Sequence, residues 1–564
     1  MTGRCIRGVP NSPVALDSCI GWVLTGPVDS ESSDECASLA NTHVVFSAAE
    51  DDVNESLKRF WEIESVGDHT GASVIDRFKE DIIFDGKRYV TKLPFKPNHE
   101  SLPDNYSLCE KRLSSLRRRL EKDPKLLSEY HAIFKDYEEN RIIERVQEDE
   151  AAVPGAVHYI PHRPIVRVDK ETTKVRPVFD ASAKNRGPSL NDCLYSGPNL
   201  LTRIFDILLR CRSNPILILS DIKQAFLHVG IHDEHKDFLR FLMFDPENIN
   251  SIIIYRFLVA MFGVTSSTFL LEATLRYHCE KCIASGAVNQ LFVENFLRNI
   301  YVDDSFGGAR SVVEGLEWYR TAKRLLKSGG FTLRKWCTNS VELQRLIDVE
   351  EVGATRHVTK PSTEVDSSYI EFQIGVNSEN VQLKNILGES WDIIADVFVV
   401  EFESIVKMAQ KLKMTKRNLL RVSSSFYDPL GLISPVSIQA KLILQLLYKE
   451  KLDWDCEISE QLAVVWKSFI ECLKDTPVIR IPRFINMCDE NALLQLHGFC
   501  DSSSLAYCAA VYVRRETSVE TRVDLVAAKT KVAPLKELTI PRLELLSCLL
   551  LVEFLNSVTF AIAQ

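Results

Sequence analysis

Tyr301-Val302-Asp303-Asp304 constrains this chain more than any other stretch. Asn299 to Val302 has strand character, the two aspartates fall where a tight turn would sit, and Ser305-Phe306-Gly307-Gly308 restarts and then releases the strand. The pattern predicts a hairpin with carboxylates at its tip. Adjacent like charges repel, so such a turn needs either open water or a hard cation with a preference for oxygen ligands. Taken alone, a solvated acidic turn fits the same residues.

A further acid arrives by a different route. Pro215-Ile216-Leu217-Ile218-Leu219-Ser220-Asp221 is a continuous apolar run ending in a carboxylate, which predicts a buried strand delivering an acid at its end. Residues 157–180 read as two strands joined by a polar turn at Asp169-Lys170-Glu171-Thr172. In the second of these, Lys174, Arg176, Val178 and Asp180 alternate and share one face. Two cations there suit a triphosphate, and a salt-bridge ladder with Asp180 suits them equally. Nucleotidyl transfer uses two divalent cations roughly 3.5–4 Å apart, which carboxylates on separate strands can hold. Asp221 and Asp303, with Asp304 beside them, are therefore candidate ligands, and Lys174 and Arg176 candidate nucleotide contacts.

Length and composition bound this reading. The 564 residues allow three or four domains of ordinary size, and 45% hydrophobic with 26% charged content suits a globular protein. A net charge of −9 argues against simple nucleic-acid binding. Residues 111–119 and 411–421 are nevertheless locally basic, as a nucleic-acid contact or a solvated helix face would be. No run of about 18 apolar residues and no basic leader stands out, so neither a membrane span nor a signal peptide is expected, and an intracellular setting is. Fifteen scattered cysteines suit reduced thiols. Cys279 and Cys282, with His278, lack the second pair that a zinc site needs.

Periodicity predicts one helical stretch from Ser107 to about Arg145, strands at Phe238–Phe244 and Ile252–Leu258, and a helix from about Thr268 capped by Ser266 or Ser267. A helix ended by Gly329-Gly330 precedes a strand from Phe331 to Trp336, and residues 339–368 read as a polar separator. Residues 416–450 are helical around Asp428-Pro429-Leu430-Gly431, Leu496–Asp501 and Ala509–Arg514 read as strands, and Pro541 opens a helix.

The motifs YIPHRPIVR, TTKVRPVFDASAK, SLNDCLYSGPNL, LSDIKQAF, YRFLVAMFGVTSSTFLL, YVDD, GGFTLRKW and YDPLGLISPVSIQAK together resemble the polymerase region of long-terminal-repeat retrotransposons of the Pao (BEL/Pao) group. The resemblance implies an α+β fold: a right-hand polymerase with fingers, palm and thumb, followed by a truncated ribonuclease H-like α/β domain. It implies RNA-directed DNA polymerase activity with two magnesium ions, manganese being an alternative, on a primed RNA or DNA template with deoxynucleoside triphosphates. Asp221 and Asp303 would bind metal and Asp304 would support them. Phe226 would exclude a 2′-hydroxyl, Phe262 and Gly263 would line the nucleotide pocket, and Lys335 would protonate departing pyrophosphate. Leu387, Gly388 and Trp391 resemble the hairpin that grips the primer, with a structural tryptophan as the alternative. Asp501 and Glu544 match the first two ribonuclease H ligands. The further acids of that site do not follow, so this half-domain is expected to be inactive.

The same resemblance divides the chain into 1–28, the tail of a retropepsin-like domain; 29–56, a linker; 57–125, an N-terminal extension; 126–345, fingers and palm; 346–485, primer grip, thumb and connection; and 486–564, partial ribonuclease H. No Asp-Thr-Gly or Asp-Ser-Gly triplet occurs, so protease activity is not expected. Other parts of the element's polyprotein, including its DNA-integration machinery, would be partners, within a cytoplasmic virus-like particle or the nucleus. No membrane partner is expected. Met261 and Thr268 stand where the family usually has proline, so a decayed or co-opted copy that only binds nucleic acid is the alternative function.

Overall fold

The computed structural model describes residues 5–7, 14–18, 21–25, 70–147, 157–166, 175–246, 248, 251–355, 382–450, 452–487 and 492–563. Two compact units divide the chain, Met1–Val66 and Gly67–Gln564. The first contains a three-stranded antiparallel sheet of Cys5–Arg7, Val14–Ser18 and Gly21–Thr25. The linker proposed at 29–56 lies outside the described residues.

Among the described residues, the second unit mixes helices with six small sheets. At its centre the order is Ile300–Tyr301, Asp304–Ala309, Ile216–Ile222, Leu333–Thr338, all antiparallel. The apolar run 216–222 is the inner strand of this sheet because neighbours and helices cover both its faces: Leu217, Ile218, Leu219 and Ile222 are all buried. Helix Val312–Ser328 packs on the sheet, and Gly329 ends it as expected.

The stretch read as one helix is two, Tyr106–Leu120 and Pro124–Glu139, followed by the strand Ile143–Arg145. Asp123 caps the second helix by accepting from Leu126 N at 3.1 Å, and Pro124 occupies its first turn, where a missing N–H costs nothing. Within the supposed separator lies helix Val341–Thr355, whose Leu343 and Ile347 are fully buried. Strand pairs His162–Val166 with Val175–Phe179, and Arg240–Phe244 with Ile252–Phe257, form as expected. The turn 169–172 and Lys174 lie outside the described residues.

Toward the C-terminus a second four-stranded sheet holds Leu383–Ile386, Glu389–Asp392, Val397–Val400 and Ile479–Pro482. A helical cluster is inserted between its last two strands in the chain, and after Ile479–Pro482 comes the meander Leu493–Ser502, Ala506–Glu516, Thr521–Val532. The last helix, Ile540–Ala563, packs on the first two meander strands and on helix Ile204–Cys211. Contrary to the sequence reading, residues 540–562 are long and apolar enough, by length and composition, to cross a membrane, with mean hydropathy 2.0. Leu543, Leu550, Phe554, Val558 and Ala561 are nevertheless buried within the protein, while Leu545, Leu549 and Phe560 are exposed.

Two cations of the locally basic segment 411–421 are engaged, while Lys411, Lys413 and Arg421 are exposed. Lys416 is buried over the rings of Tyr448 and Trp454, and Arg417 pairs with Asp455 at 2.7 Å. Cys279, Cys282 and His278 are core residues of helix Ser267–Ala284, where the histidine bonds to Leu325 O at 2.7 Å. The described cysteines are free thiols.

Candidate active site

The acidic turn is shifted one residue from its expected place. Tyr301 pairs with Asp304, so Val302 and Asp303 form the turn and Val302 takes φ +56°. Beneath it Glu272 is buried in helix Ser267–Ala284, where the Val302 backbone and Arg276 favour its charged form against burial. Asp304 lies directly across from Asp221, and Ile222 N donates to Asp303 O at 2.7 Å. One residue further in, the buried hydroxyls of Ser220 and Ser305 meet at 2.6 Å and fix the two strands.

On the other flank of the central strand, Arg334 Nε donates to Asp221 Oδ2 at 2.9 Å, and Lys335 Nζ stands 3.6 Å from the same oxygen. Strand alternation would send consecutive side chains to opposite faces. A bulge between Arg334 and Cys337, with Lys335 at φ +54°, turns both cations toward one carboxylate. The acids feel each other. Burial first, and then Asp221, hold the Asp303 carboxyl above its ordinary range. Asp304 is pushed up to about 6 by burial, Asp303 and Asp221, while Lys384 and Lys335 oppose the shift.

The structure thus brings together Asp221, Asp303, Asp304 and Lys335. Phe226, five residues past Asp221, is buried with its ring centroid 4.6 Å from that of Phe262, which is 62% exposed. Gly263 O accepts from Asn191 Nδ2 at 3.0 Å, and Asn191 Oδ1 accepts from Thr265 N at 2.8 Å, so one side chain pins this loop. Ser267 Oγ donates to Met261 O at 2.6 Å and closes the loop's base despite the missing prolines. Ser266 precedes the helix without making a side-chain cap.

Arg176 is exposed on its strand, as alternation requires, with its charge beside Tyr137. No bond joins it to the aspartates among the described residues, and Asp180 pairs with Arg112 at 2.8 Å instead of with Arg176. Leu387 and Gly388 form the turn of the hairpin Leu383–Asp392. Trp391 does not reach that surface: it is fully buried, donates from Nε1 to Asp396 Oδ1 at 2.9 Å and rests on Arg483. Its role is structural.

Asp501 and Glu544 are not brought into contact. Gly498 and Cys500 face the last helix, the latter with its Sγ 3.7 Å from Cys548 Sγ, so alternation turns Asp501 to the opposite face. Glu544 is exposed one turn before Cys548.

Three contributors escaped the sequence reading. Arg334 stood inside a quoted motif without a role. Lys384, whose charge acts on Asp304, lies in a segment that carries no motif, and Glu272 lies in the helix after Thr268 with no role assigned. Only Arg334 had a local signal, its place beside Lys335. The donor chemistry of the site suits a hard divalent cation, because three mutually repelling carboxylates offer oxygen alone. Among the described residues no three His, Cys, Asp or Glu side chains are spaced to form a ready metal cluster, and Asp221 is engaged by Arg334.

An α+β chain with an acid-bearing antiparallel sheet and a C-terminal strand–helix unit is the class these observations define. Residues 415–563 match the family described as Pao retrotransposon-like RNaseH-like domain. That match begins within the segment assigned above to grip, thumb and connection. The chain is also similar to solved structures of a foamy viral protease-reverse transcriptase. One is the dRH form in complex with ds DNA, at 11% identity and TM-score 0.46, covering 93% of this chain and 76% of that one. Another is the complex with an RNA/DNA hybrid, at 10% identity and TM-score 0.46, covering 93% and 58%. No curated protein matches the chain.

Proposed function

We propose that the chain is an RNA-directed DNA polymerase region of a Pao-type retrotransposon polyprotein, with fingers and palm over residues 126–345 and primer grip, thumb and connection over 346–485. The observation that carries this reading is the pairing of Asp221 with Asp304 on adjacent strands and Asp303 in the turn beside them, with Arg334 and Lys335 against Asp221. Asp221 and Asp303 would hold magnesium, which when bound activates the primer hydroxyl and neutralises the leaving pyrophosphate. Lys335 Nζ is the proton donor to that pyrophosphate as the 3′-oxygen bonds to the α-phosphorus. Phe226, under Phe262 and Gly263, crowds the 2′ position of the incoming deoxynucleotide, and Lys174 and Arg176 neutralise its phosphates. Leu387 and Gly388 support the primer end. Asp501 and Glu544 by themselves give no ribonuclease H activity, and the protein works inside the cell with the rest of its polyprotein.

Template-dependent extension of a primed RNA in magnesium is expected, and Asp303→Asn is expected to abolish it while primer–template binding persists. Equal extension by the variant would sink the mechanism. A second reading, a copy that binds nucleic acid without catalysis, is favoured by the Arg334 guanidinium that competes for Asp221. Binding without incorporation by the unaltered protein in both magnesium and manganese would establish it.

A further inference from the structure

Tyr427-Asp428-Pro429-Leu430-Gly431 separates two helices and plays no part in the chemistry above. Its backbone is fixed on both sides. The Asp428 carboxylate accepts from Leu432 N at 2.7 Å and from Ile433 N at 3.0 Å. Leu430 O accepts from Ala528 N of the C-terminal meander at 2.9 Å. Gly431 follows at φ +70°, where a Cβ would stand 1.8 Å from Ala528 O, so no other residue fits. The segment is a bracket seated on the meander.

What the bracket presents is Tyr427. Its hydroxyl donates to Leu387 O at 2.5 Å, and a Cβ on Gly388 would lie 2.5 Å from its ring. Leu387 and Gly388 take φ +49° and +98°, the left-handed pair of a two-residue hairpin turn. Asn-Gly or Asp-Gly adopts that turn readily, whereas a leucine at the first position resists it. Nothing in the leucine itself favours its conformation, and the tyrosine hydroxyl supplies what is missing. The phenol remains a donor at neutral pH, since burial, Glu389 and Tyr301 hold its proton.

We propose that Tyr427 is a positioning residue: through its bond to Leu387 and its ring on Gly388 it holds the turn that steadies the primer's 3′ end. The primer part rests on the polymerase reading above. Tyr427→Phe keeps the ring and removes only the hydroxyl. Expected in the full chain are about tenfold faster amide exchange across residues 383–392 and about tenfold slower single-turnover incorporation, the worth of one hydrogen bond. The KM for deoxynucleotide and the melting temperature should stay unchanged, which a general structural lesion would not allow. Adding Leu387→Asn, which accepts the left-handed conformation unaided, should restore both exchange and rate. Unaltered exchange in Tyr427→Phe, or no recovery in the double variant, would overturn the proposal. A chain that incorporates nothing yet shows the exchange effect and its rescue would overturn the polymerase reading alone and leave the hold on the turn established.

Discussion

Glu272 is a carboxyl that the fold keeps under the acidic turn at a cost. Burial pushes it up to about 7, against the opposing pull of Arg276 and the Val302 N–H. Its folded value lies above its unfolded one, so the fold is favoured fully below the unfolded value near 4.5. That advantage is lost as pH rises through about 7. Glu389, also pushed up to about 7 by burial and Asp428, acts in the same direction. Glu272→Gln keeps the size of the side chain and removes the titration. Thermal melts from pH 5 to 8 should show a flatter profile for the variant and a gain of about 2–3 kcal/mol at pH 8, following the energy of a pKa shift of this size. Superimposed profiles would refute the assignment.

At the scale of elements, a buried guanidinium joins the turn that follows the hairpin Leu383–Asp392 to the start of the central strand. Arg483, fully buried, donates to both oxygens of Asp396 and to Pro215 O at 2.9 Å, and Trp391 lies over it. Removing one partner of such a pair strands a charge in the interior. Asp396→Ala should therefore cost about 3–5 kcal/mol in urea unfolding, and a loss below about 1 kcal/mol would show the pair to be dispensable. Elements were unevenly legible in the sequence. The Asp123-Pro124 start signal was present but hidden inside a continuous helical pattern. Helix Val341–Thr355 was missed although Ser340 Oγ accepts from Leu343 N at 3.3 Å, because its buried stripe is only Leu343 and Ile347 wide. The bulge at Lys335 had no signal, since a register change answers to the facing strand.

The molecule as a whole decides how the last helix is read. Its composition alone would suit a bilayer, yet Phe554 is buried against Phe205, ring centroids 5.5 Å apart, and lies under the meander. Phe554→Ala should destabilise the protein by about 3–5 kcal/mol, measured by urea unfolding, as expected for a large ring lost from a core. A cost under about 1 kcal/mol would place the helix outside the folded unit. By itself the sequence determined the strand ending at Asp221, the acidic hairpin and the resemblance to Pao elements, because apolar runs, alternation and turn residues act over a few neighbours. Tertiary structure alone decided that Arg334 joins Lys335 on Asp221, that Trp391 is buried, that Asp501 turns away from the last helix and that Tyr427 holds Leu387. Those meetings join residues distant in the chain, and packing of whole elements sets them.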